Sequence, residues 1–202
     1  MRQQILRRLF RECLKRSYRE TDTGASWDFS RRGNTLFLYF EKSNGARDWL
    51  SNLTFHATPY RDMSPPWKCH SGFWNRFESV KPHIRALISD PTVGRVVTVG
   101  YSHGAALAVL CHEFIYYNRP DIRDQIFGFG FGCPRVIYGE LPPELAARWE
   151  RFFVIRNLDD LVTHLPPSVL GYTHVGNLIT VGAPDRYNAI DAHREKNYLR
   201  EL

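Results

Sequence analysis

No stretch of this 202-residue sequence is long enough to cross a bilayer. Its longest uninterrupted apolar run, Ala105 to Cys111, holds seven residues, against about 20 for a spanning helix. Cysteine is sparse: Cys13, Cys69, Cys111 and Cys133 lie far apart and form no C-x-x-C pair. That excludes a disulfide-dense scaffold, and Cys69-His70 and Cys111-His112 lack the paired two-to-four-residue spacing of a zinc site. The N-terminus has no apolar core or small-residue cleavage pattern of a secretory leader, so reduced thiols and a cytoplasmic address are expected. Repeats, low-complexity tracts and linkers are also missing. What remains, 43% hydrophobic and 24% charged residues, is ordinary globular composition and excludes global disorder.

Charge is unevenly placed. Residues 1–20 hold seven Lys or Arg and two Glu, a balance of +5, whereas the formal total is +6. The other 182 residues are therefore almost neutral, and no basic surface of the kind that binds nucleic acid is expected. Within the basic segment, Leu6, Leu9, Phe10, Cys13, Leu14 and Tyr18 recur at helical spacing, which predicts an amphipathic helix over residues 1–20. Two uses fit it: a surface helix packing that stripe on the body, or peripheral contact with an anionic membrane.

Beyond it the pattern alternates. Thr35 to Glu41, Arg95 to Tyr101, Ile126 to Phe131, Arg151 to Arg156 and Asn177 to Val181 read as strands. Arg47 to Leu53, Phe73 to Ile88, Ala105 to Tyr117 and Asp191 to Leu202 read as helices. Strands separated by helices imply βαβ units, hence one α/β domain whose mostly parallel sheet is covered on both faces. Thr54 to His70 is expected to be the one long loop, with Phe55, Tyr60, Met63 and Trp67 available for a small lid or equally for simple packing. The run Gly128 to Gly132 leads to Pro134 rather than a helix, so it is read as a strand and not as a phosphate cradle.

The chemistry concentrates at Gly100-Tyr101-Ser102-His103-Gly104, a G-x-S-x-G set between a β-branched strand and an apolar helix. That is the setting of a nucleophile elbow. A serine at the tip of a sharp turn needs neighbours without side chains, and the following helix start aims N–H groups at the reaction centre. Serine is a weak nucleophile without an imidazole base, which in turn needs a carboxylate to orient it. Asp159 and Asp160 follow a strand candidate, and His164, His174 and His193 lie downstream. Residue chemistry leaves both choices open.

In order along residues 35 to 198, FEKSNGARDW, HSGF, VTVGYSHGAALAVL, FGCPRV and RNLDDLVTHLPP resemble stretches of the class 3 (fungal-type) lipases, an α/β-hydrolase family. The short chain and absent leader suggest a bacterial or phage-like member. The resemblance implies hydrolysis of carboxylic esters, with a small-molecule lipid or ester as substrate and no cofactor. It places Ser102 on the nucleophile, Asp160 on the acid and His193 on the base, and it makes His174 structural. Ser43 falls on the oxyanion loop, so that Ser43 and the N–H of His103 face the oxyanion. A phospholipase or thioesterase could use the same residues. The rival of another class is a non-catalytic lipid- or partner-binding protein with the basic helix as its working part.

Overall fold

The computed structural model describes residues 3–41, 55–60 and 66–202. In TLFLYF, alternate side chains serve opposite faces. Leu36, Leu38 and Phe40 enter one hydrophobic cluster, while Tyr39, with Phe37 against it, joins another. Val96 against Val97, Val99 and Tyr101 repeats the division in the neighbouring strand. Such period-two alternation, apolar on both sides, is what a sheet buried on both faces requires.

These strands are β3 (Thr35–Phe40) and β6 (Arg95–Tyr101), at the middle of a seven-stranded sheet. The others are β1 (Arg19–Glu20), β2 (Ser26–Arg32), β7 (Ile126–Phe131), β9 (Phe152–Asn157) and β11 (Asn177–Val181), in the order β1-β2-β3-β6-β7-β9-β11. From β3 to β11 every pairing is parallel, whereas β1 and β2 are antiparallel additions at one edge.

Two long helices cover one face. Helix α2 (Ser71–Ile88) is capped by His70, whose Nδ1 accepts the N–H of Gly72 at 3.1 Å. It buries Phe73, Trp74, Phe77, Val80, Ile84 and Ile88. Helix α3 (His103–Asn118) is buried from His103 to Ile115, as expected of a helix apolar on nearly every side. A short α4 (Pro143–Ala146) lies beside this layer, burying Leu145 in the same cluster.

The other face is covered by α1 (Gln3–Leu14), through Leu6, Leu9, Phe10 and Cys13, and by α5 (Glu195–Glu201), through Tyr198. The stripe of α1 thus packs on the body and leaves Arg8, Arg11 and Lys15 outward. Truncating Phe10, which is fully buried, should cost about 3–5 kcal/mol.

Several expectations need correction. Residues 54–70 do not form one loop. β4 (Ala57–Tyr60) and β5 (Trp67–His70) pair antiparallel and continue into β8 (Ile137–Tyr138) and β10 (Tyr172–Thr173), in the order β10-β8-β5-β4. Tyr60 and Trp67 stack at 4.1 Å between ring centroids, both buried, so for these two the packing alternative holds. Met63 and the helix expected over residues 47–53 lie outside the described residues. The N-terminal helix stops at Leu14, and the closing helix is split into a 3-10 turn, Asp191–His193, followed by α5. Strand β2 carries no simple alternation. Its buried Asp28 is neutralised by Arg16 Nε at 2.6 Å, across twelve residues of sequence.

Burial also sets the response to acid. It lowers His103 to about 3, with the charges of Arg76 and His70 adding to the effect. It lowers His112 and His174 to about 4, against the hydrogen bonds each makes to a backbone carbonyl. Between these values and the ordinary 6.5 the unfolded chain binds more protons, so stability falls as pH drops through that window. Glu113 works the other way. Burial, partly offset by Arg148, raises it to about 7, so its share of stability falls as pH rises from about 4.5 to 7. Three histidines outweigh one glutamate, and the melting temperature should drop steadily from pH 6.5 to 4. A flat thermal profile over that range contradicts this.

Candidate active site

The three elements that build the site meet at the carboxyl ends of β6, β9 and β11, the edge where open α/β sheets bind ligands. Ser102 stands between β6 and α3 with φ 57° and ψ −124°, a left-handed conformation that costs a non-glycine residue about 1–2 kcal/mol. Its neighbours explain how the strain persists. A Cβ on Gly100 would sit 2.2 Å from the carbonyl oxygen of Gly104, and one on Gly104 would sit 2.2 Å from that of Phe40. Helix and strand cross there with no space for a methyl group. The N–H of Ser102 donates to Phe131 at 2.9 Å and pins the turn to β7.

Asp160 caps a 3-10 turn, Leu161–His164, directly after β9. Its Oδ1 accepts the N–H of Val162 at 2.9 Å, and its Oδ2 accepts the hydroxyl of Tyr198 at 2.6 Å. A fully buried carboxylate loses its hydration, and these donors replace it. Asp159, the alternative left open by residue chemistry, points elsewhere. It accepts the N–H groups of Asp185 at 3.3 Å and Tyr187 at 3.4 Å and ties the following loop.

His193 closes the 3-10 turn between β11 and α5. Nδ1 lies 2.8 Å from Asp160 Oδ2 and 3.0 Å from Oδ1, and Nε2 lies 2.8 Å from Ser102 Oγ. With Nδ1–H donating to the carboxylate, Nε2 is left as acceptor for the serine proton. Gly132 makes room for the pair: a Cβ there would come within 2.8 Å of the imidazole and 3.1 Å of Asp160. The other downstream histidines lie elsewhere, His174 half-buried and His164 exposed. His174 Nε2 bonds the carbonyl of Thr163 at 2.8 Å, and the carbonyl of His164 accepts from Arg135.

His103, the first residue of α3, has a buried ring set edge-on to Phe73 at 5.4 Å. Its backbone N–H belongs to the first turn, where a helix leaves donors without internal acceptors. Ser43, the other expected oxyanion residue, lies outside the described residues. Sequence reasoning missed Tyr101, whose ring stacks on His193 at 5.2 Å and 22° and whose hydroxyl donates to the carbonyl of His193. No local pattern marked it, since the two positions are 92 residues apart.

A mostly parallel sheet layered by helices, with a strained serine on a strand-turn-helix joined through histidine to a buried aspartate, gives the chain the α/β-hydrolase fold. The family model Lipase (class 3) matches residues 37–170, and the chain belongs to that family. The match contains Ser102 and Asp160 but stops before His193.

The chain is 28% identical over 172 residues to a lipase of Rhizomucor miehei, covering 81% of itself and 47% of that protein. It is 29% identical over 140 residues to secreted mono- and diacylglycerol lipase 1 of Fusarium solani, covering 65% and 39%. It thus spans less than half the length of either relative. Among solved structures, the triacylglyceride lipase of Rhizomucor miehei superposes with a TM-score of 0.71 at 22% identity, over 86% of this chain and 76% of that one. The Rhizopus microsporus var. chinensis lipase gives 0.72 at 22%, over 81% and 59%. At these identities the superpositions establish the fold.

The relatives overturn the expected cytoplasmic address, because those from Fusarium solani and Malassezia globosa are named as secreted. An address is written in leader segments that are removed from, or lie outside, a folded domain, so the domain's own residues do not report it. Among the described residues, no helix is long and apolar enough to cross a membrane.

Proposed function

We propose that the protein is a serine hydrolase of carboxylic esters, acting on acylglycerols or related lipid esters through an acyl-enzyme. The observation that carries this reading is the unbroken chain from Ser102 Oγ through His193 to Asp160, with 2.8 Å at each link. Ser102 Oγ attacks the ester carbonyl carbon as His193 Nε2 takes its proton. The tetrahedral intermediate collapses, the ester C–O bond breaks, and the imidazolium returns the proton to the leaving alcohol. Water then attacks the acyl-serine by the same route, releasing the acid and restoring the hydroxyl. Asp160 holds the ring tautomer and balances the positive charge on the imidazolium. The N–H of His103 faces the oxyanion, with Ser43 as its partner. Losing one such donor typically costs about 100- to 1000-fold in rate.

The lipid-ester class is supported by the family and by relatives named for mono- and diacylglycerols. Turnover of p-nitrophenyl esters of graded chain length, set beside mono-, di- and triacylglycerol, phospholipid and an acyl thioester, tests it. Faster release from acylglycerols than from phospholipid or thioester is the expected result, and no ester turnover at all rejects it. Contact with an anionic lipid surface belongs to this reading through the outward Arg8 and Arg11 of α1 and Lys15 just after it. Reversing Arg11 and Lys15 to Glu should reduce co-sedimentation with phosphatidylserine vesicles, and unchanged binding removes that contact from the account.

Asp160→Asn should keep the fold and lower kcat by about 10⁴-fold, because the amide can no longer hold the required tautomer. A loss of less than tenfold contradicts its assigned role.

A further inference from the structure

The base sits on a short support, whose preceding carbonyls accept from Asn157 Nδ2 at Ala192 (2.9 Å) and from Asn197 Nδ2 at Asp191 (2.7 Å). His193 ends a three-residue 3-10 turn, and carbonyls at the end of such a turn lack partners within it. The hydroxyl of Tyr101 supplies the donor to the His193 carbonyl, and its ring lies nearly parallel to the imidazole at 5.2 Å. Tyr101 is the last residue of β6, immediately before the serine. One side chain therefore ties the element that carries the nucleophile to the turn that carries the base. Tyr198 does the corresponding work for the acid, donating to Asp160 Oδ2 while accepting the N–H of Asn157 at 3.0 Å.

Both tyrosines share a backing. Phe10 of α1, fully buried, lies edge-on to Tyr101 at 5.2 Å and 79° and contacts Tyr198 at 5.7 Å. It also packs on Phe131 at 4.7 Å. Helix α1 lies outside the residues matched by the family model, yet it reaches the support of the site through one ring.

We infer that Tyr101, backed by Phe10 of the N-terminal helix, is a positioning residue for the base: its hydroxyl fixes the turn of His193 and its ring fixes the imidazole plane against Ser102. The inference rests on the hydrolytic reading of Ser102, His193 and Asp160. Burial, with the charges of Asp160 and Glu195 behind it, pushes the Tyr101 phenol well above its ordinary range, so it remains a donor at working pH. The groups facing His193 are Asp160 from the turn after β9, Ser102 from the elbow, Tyr101 from β6 and Tyr198 from α5. On its own turn, Asp191 and its neighbour Arg194 pair with each other at 2.7 Å. A proton arriving at Nε2 places positive charge beside the Tyr101 ring, an arrangement the electron-rich face of an aromatic favours.

The test compares the parent with Tyr101→Phe, which keeps the ring and removes the hydroxyl, and with Tyr101→Leu, which removes both. The melting temperature of each is measured, and below it kcat and KM on a p-nitrophenyl ester and the low-field proton resonance of His193 Nδ1–H are read. Tyr101→Phe should lower kcat about tenfold with KM changed less than twofold, and should broaden or shift the low-field resonance. Tyr101→Leu should do more of both, and Phe10→Leu a smaller change in the same direction. Parent-like kcat and resonance in Tyr101→Phe overturn the inference, even if the melting temperature falls. A parent that neither turns over esters nor reacts with a fluorophosphonate defeats the hydrolytic reading instead. The resonance, which needs no turnover, then still separates a fixed imidazole from a loose one.

Discussion

Ser102→Ala should abolish ester hydrolysis, a loss of at least about 10⁴-fold in kcat, with little change in the melting temperature. The magnitude follows from the way the three residues act: with the nucleophile gone, the imidazole and carboxylate have nothing to activate, and only binding and oxyanion stabilisation remain. Stability should hold, because alanine occupies the space of the serine and sacrifices one hydrogen bond, the 2.8 Å contact to His193. Ser102→Gly makes a sharper forecast. At φ 57° glycine carries no steric penalty, and relief of about 1–2 kcal/mol should raise the melting temperature by roughly 2–8 °C for a chain of this size. An inactive enzyme that is more stable than its parent is what strain stored at a functional turn implies. A melting temperature that falls in Ser102→Gly contradicts that picture.

The second large effect is structural. Gly104→Ala should prevent formation of the elbow. The added Cβ would lie 2.2 Å from the carbonyl oxygen of Phe40 and 2.5 Å from that of Glu41. These are backbone atoms at the end of β3, which is held between β2 and β6, and they cannot swing aside as a side-chain tip could. Relief requires α3 to lift from the sheet, exposing a helix that is buried from His103 to Ile115. Overpacking typically costs 1–3 kcal/mol when side chains can repack; here the cost should exceed about 3 kcal/mol, with activity lost alongside. Gly94→Ala is the contrast. Its Cβ would meet the side-chain amide of Asn34 at 2.9 Å, a flexible group, and the change should be nearly silent. Equal soluble yields and melting temperatures for the two variants contradict the close-crossing account.

Local signals were legible in the sequence and distant ones were not. The elbow could be read because strand, glycine, serine and helix are consecutive. Its glycines were expected for closeness of backbone, and the approach to Phe40 and Glu41 gives the reason in atoms. The choice between Asp159 and Asp160 was not legible from chemistry, since adjacent carboxylates differ only in which way the turn aims them. One faces the buried imidazole and the other the N–H groups of residues 185 and 187. The resemblance to the family favoured Asp160 and His193, and the folded chain brings those two within 2.8 Å.

Strand β2 escaped notice because an ion pair, rather than an apolar residue, fills one of its buried positions. The hairpin of β4 and β5 escaped because Pro59 and the polar residues around it resemble a loop, while the stacking of Tyr60 on Trp67 arises only in three dimensions. Tyr101, at the variable position of the G-x-S-x-G motif, had no role assigned from the sequence. Its partner, His193, is supplied by the other end of the chain.

The central claim is that the hydroxyl of Ser102 is a nucleophile made reactive by His193 and Asp160. Intact-mass and peptide mapping after exposure to a fluorophosphonate measures this without a choice of substrate. The account predicts one covalent adduct per chain, located on Ser102, formed rapidly in the parent and at least a hundredfold more slowly in His193→Ala. An unlabelled folded parent, or an adduct that maps to another residue and forms as fast without His193, contradicts it.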